Sequence, residues 1–107
     1  MIVQLTAAGA VVQNPDDLGD LHLETELDDE ALRKALATTD TGELADDGTA
    51  LLDVARLRSL AVLRPTSADW SKRWTAMLED AERHGRLSAD GLSVRVPVTR
   101  PGGRSAG

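Results

Sequence analysis

The stretch Pro65–Gly85, PTSADWSKRWTAMLEDAERHG, holds both tryptophans of the chain, and its periodicity decides how the rest must pack. Read as a helix from about Ser67 to His84, it places Trp70, Trp74, Met77, Leu78 and Ala81 at offsets 0, 4, 7, 8 and 11. At ~100° per residue these five fall within an arc of roughly 100°, the width of a core-facing stripe. Thr66 and Asp69 have capping-box spacing, and Pro65 fixes the backbone just ahead of them. At the far end Arg83, His84 and Arg86 bring positive charge to the carbonyl pole, and Gly85 can take the left-handed closing conformation. Asp69 with Arg73, Glu79 with Arg83 and Glu82 with Arg86 are acid-first pairs four apart, each expected to add about 0.3–0.5 kcal/mol on the solvated face.

Two indoles and a histidine could line a ligand site. The chain has no Phe and no Tyr, however, so Trp70 and Trp74 are the only large aromatic surfaces a small core can use. We read them as interior, and His84 as a helix cap.

Outward from this helix, composition bounds the rest. The chain has 107 residues, near the commonest domain size, with 41% hydrophobic residues. Fifteen of those are alanine, and Leu, Ile, Val and Phe together number 25, so the core is thin. Modest stability follows, with room for support from a partner or from a second copy of the chain. There is no cysteine, hence no disulfide, thiolate metal site or cysteine nucleophile. Nothing resembles a signal peptide, and no run approaches the ~20 apolar residues that span a bilayer. A cytoplasmic, membrane-free protein is the expectation.

The net charge of −6 conceals an asymmetry. Met1–Asp53 carries thirteen acids and two bases, a net of −11, whereas Val54–Gly107 carries five acids and ten bases, a net of +5. Such halves can fold against each other, or offer an acidic face to a basic partner, or a basic face to an acidic one.

Ile2–Leu5 and Ala10–Gln13 read as short strands, and Asn14-Pro15-Asp16-Asp17 as a turn. Asp20–Leu27 alternates with period two: Leu21, Leu23, Thr25 and Leu27 share one side, and His22, Glu24 and Glu26 project in a row from the other. That row could be an acid–base pair or part of a metal site, but a solvated strand face is the plainer reading. The acidic loop Asn14–Thr25 fails the calcium template, having Leu18 at position five and Thr25 at position twelve. Asp28 starts a helix whose buried stripe is Leu32, Ala35 and Leu36, with Leu27 stapled to Leu32.

Glu43 to Leu52 admits two readings. The Asp47-Gly48 turn signal favours a hairpin, followed by an Asp53-capped helix over Val54–Leu63. The alternative is one longer helix from Thr49. On the hairpin reading Leu52 and Leu57 form another staple, Leu57, Leu60 and Ala61 face inward, and Arg56, Arg58 and Arg64 face outward. Ala89-Asp90-Gly91 is a turn, and Leu92–Val98 a strand with Leu92, Val94, Val96 and Val98 on one face. The predicted domain covers 1–98; the tail 99–107 has no apolar periodicity and reads as loose.

These elements define a small single α+β domain, about three helices packed on a short antiparallel or mixed sheet, with the tryptophan helix central. Phosphate-cradling glycine loops, zinc-protease and nucleophile-elbow motifs are absent, and general bases are scarce, so neither catalytic residues nor a metal or cofactor are expected. The leading expectation is a non-catalytic interaction module of accessory, adaptor, inhibitor or immunity type. Its partner is a protein with a basic surface, met by Glu24, Glu26, Asp28 and Asp29, and a homodimer is compatible with it. The alternative is a winged-helix-like nucleic-acid regulator using Arg83, Arg86, Arg95 and Arg100, with Arg104 beyond them. The overall negative charge, and the lack of aromatics between those arginines, weigh against it.

Overall fold

Alternation of apolar and polar residues lays down the first strands. In the computed structural model, which describes residues 1–63 and 67–100, β1 (Ile2–Thr6) and β2 (Gly9–Gln13) form an antiparallel hairpin with Val3 opposite Val12. Asn14 takes a positive φ of 51° and its carbonyl accepts from the Asp17 amide, closing the expected turn. A short 3-10 turn, Leu18–Asp20, then returns the chain to β3 (His22–Thr25), which runs parallel to β1 on the side away from β2. β3 is thus shorter than the period-two run from Asp20 to Leu27. Asp20 belongs to the 3-10 turn, and pairing with β1 lasts only from His22 to Thr25.

Helix α1 (Asp29–Thr38) begins where Asp28 accepts a hydrogen bond from the Ala31 amide at 2.8 Å, and it buries Leu32, Ala35 and Leu36. The next segment is the hairpin rather than one long helix. β4 (Gly42–Leu44) pairs antiparallel with β5 (Ala50–Asp53), and Asp53 caps α2 (Val54–Ala61) through the Arg56 amide. The pairing at Gly42 is close: a Cβ there would lie 2.1 Å from the Leu51 carbonyl oxygen. Leu57, Leu60 and Ala61 point inward as expected. Arg56 does not point outward; it is half-buried, and its Nε has no hydrogen-bond partner among the described residues.

Helix α3 (Trp70–Arg83) starts three residues later than Ser67, because the Trp70 amide is satisfied by the Ser67 carbonyl and the Asp69 side chain binds Ser67 Oγ instead of capping. Pro65 and Thr66, with Arg64, lie outside the described residues. The indoles are interior: Trp70 is 2% and Trp74 3% exposed, with ring centroids 5.2 Å apart, and Trp70 Nε1 donates to the Pro15 carbonyl at 2.7 Å. Met77 and Leu78 are half-buried. Gly85 adopts φ 72°, and the Arg86 amide reaches back to the Ala81 carbonyl, the left-handed closure expected. His84 caps its own helix through Nδ1 and the Asp80 carbonyl.

The three expected four-apart ion pairs do not form. Arg73 binds Asp16, while Arg83 and Arg86 both bind Asp80. Long flexible side chains choose the best local acceptor, and a pair four apart on an exposed helix face is too weak to hold them.

The Val-rich segment divides. β6 (Ser93–Val96) pairs antiparallel with β5, and after Pro97 the chain joins the other sheet as β7 (Val98–Thr99), parallel to β3. Proline has no amide to give a ladder, so the single expected strand breaks there, while its carbonyl accepts from the Leu23 amide. Leu92 is 62% exposed, not inward. Thr99 is in β7 and Arg100 Nε donates to the Leu27 carbonyl; residues 101–107 lie outside the described residues.

The result is an α+β fold: three helices pack against a mixed sheet of order β2-β1-β3-β7 and an antiparallel sheet of order β4-β5-β6. One apolar cluster draws on both sheets and all three helices. Its members include Val3, Leu23, Leu32, Leu36, Leu52 and Leu57 together with Trp70, Trp74 and Ala81 of the tryptophan helix, all buried. No helix of the described residues is long and apolar enough to cross a membrane.

Candidate functional site

Period two along β3 sends Leu23 and Thr25 into the core and leaves His22 and Glu24 on the opposite face. Thr25 is buried, and its hydroxyl serves twice. It donates to the Leu5 carbonyl at 2.9 Å and accepts from the Leu27 amide at 3.1 Å, which fixes the bend where the chain leaves β3. The carboxyl ends of the parallel β1 and β3 thereby frame a groove of about 390 Å³ lined by Gln4, Leu5, Thr6, Glu24, Thr25, Glu26 and Leu27.

The four predicted acidic residues separate here. Glu24 and Glu26 line the groove. Asp28 is committed to the α1 cap, and Asp29 accepts from Arg100 at 2.8 Å. Arg100 also donates from Nε to the Leu27 carbonyl at 3.0 Å, so the last described residue is tied beside the groove wall. Glu24 meets His22 Nε2 at 3.2 Å, and His22 Nδ1 faces the Asp20 carbonyl at 3.0 Å. Both ring nitrogens thus face oxygen acceptors. Glu26 is exposed, with no hydrogen-bond or ionic partner among the described residues. Chemically this arrangement leaves the Glu24 and Glu26 carboxylates beside the half-buried Leu27, while Leu5 belongs to the core. Among the described residues no group of three or more His, Asp or Glu is placed to hold a metal ion.

Each predicted nucleic-acid arginine sits against a carboxylate: Arg83 and Arg86 on Asp80 at 3.5 and 3.2 Å, Arg95 on Asp47 at 2.7 Å, and Arg100 on Asp29. Arg86 and Arg95 are brought together through a backbone hydrogen bond of 2.7 Å, whereas Arg104 lies outside the described residues. Three ion pairs, Asp16–Arg73, Asp29–Arg100 and Asp47–Arg95, join the acidic half to the basic half, so part of the charge asymmetry is spent within the fold.

The carboxylates tied into loops are held below their ordinary range. For Asp16 the cause is first the Ser67 amide, then the Ser67 hydroxyl, with Arg73 adding to them. For Asp47 it is the Thr49 hydroxyl and amide, then Arg95. For Asp90 it is the Ser88 hydroxyl, then the Leu92 amide. Hydrogen bonds donated to the ionised form favour that form.

The groove's other wall, Leu5 and Thr6, could not be read from local sequence, because it depends on β1 and β3 being parallel neighbours. Thr25, read as a member of the apolar face, supplies the hinge as well. Compared with protein-family models, curated proteins and solved structures, the chain matches none.

Proposed function

We propose that the protein is a non-catalytic protein-interaction module, of accessory, adaptor, inhibitor or immunity type, whose acidic amino-terminal half meets a basic surface on a partner protein. One observation carries the reading: the basic half spends its predicted contact arginines on internal carboxylates, whereas the acidic half keeps carboxylates open. Glu26, Glu30, Glu43 and Asp46 have no cationic partner among the described residues, while Arg83, Arg86, Arg95 and Arg100 all do. A field of that sign speeds encounter with a basic surface and makes it sensitive to salt. The same pairing weighs against the nucleic-acid alternative, since phosphate contacts would have to displace carboxylates already bound.

The test is capture of a partner from the native cell by the full chain, followed by affinity measurement across ionic strength. The reading expects affinity to fall steeply as screening rises. An affinity independent of salt would reject it, and retardation of generic duplex DNA at low salt would favour the alternative.

A further inference from the structure

We draw no further inference here: the strongest candidate, the cleft of about 250 Å³ between α3 and β6, is walled by the buried core residues Ala81, Val94 and Val96, and its rim charges Asp80 and Arg86 answer each other, so nothing in the structure shows what would fill it.

Discussion

Two acidic stretches of the amino-terminal half meet opposite fates. At the turn after β2, Asp16 receives the Ser67 amide and hydroxyl and the Arg73 guanidinium, while the neighbouring Pro15 carbonyl receives Trp70 Nε1. This clip fastens α3 to the sheet. At the end of β3, Glu24 has only His22, and Glu26 has no partner among the described residues. A carboxylate that collects internal donors has structural work, and Glu26 has none of it among the described residues. Formal charge alone does not tell the two apart.

The largest expected effect breaks the clip side. Trp70→Ala should cost about 3–5 kcal/mol in chemical denaturation, from lost core volume, the lost stack on Trp74 and the orphaned Pro15 carbonyl. A loss under ~1 kcal/mol would mean the indole is not interior scaffolding. Next, Asp28→Ala should cost about 1 kcal/mol of stability through the lost α1 cap, with partner affinity unchanged. If affinity falls and stability holds, Asp28 belongs with Glu24 and Glu26 after all.

Acid titration comes third. Asp16, Asp47 and Asp90 have folded pKa values below the ordinary 3.8, so the unfolded chain binds protons first as pH falls. Their contribution is therefore fully present above about pH 4 and is lost as pH drops through the lowered folded values. Thermal melts from pH 5 downward should show this decline, and Asp16→Asn should flatten it. Smallest on stability is Glu26→Gln, expected within about 0.5 kcal/mol of the parent in the same melts. Under the proposed function its effect is on binding, and a clear loss of stability would place Glu26 among the structural acids.

Much of the local architecture was legible in the chain because its causes are local. Asp28 and Asp53 each sit four residues ahead of the first leucine of an apolar stripe of helical period, and each is the observed cap. The Asp47-Gly48 signal marks the hairpin, and Gly85 the end of the tryptophan helix. What escaped is what depends on partners far away in sequence. Arg73 prefers Asp16, 57 residues distant, to Asp69, four away, because Asp16 is already held in place by Ser67. Parallel pairing of β1 with β3 leaves no local mark, so nothing in the local sequence places Leu5 and Thr6 beside Glu24 and Glu26. Pro97 was a signal in plain view: a proline inside a period-two run divides a strand, and here its two parts serve different sheets.

That division at Pro97 also governs how the molecule comes apart. A chain that leaves one sheet and enters the other across a single residue acts as a hinge pin through both plates. Amide protons of β3 and of β5 should then exchange with solvent in one shared opening event, and cleaving the backbone between Val96 and Val98 would let the two plates open separately.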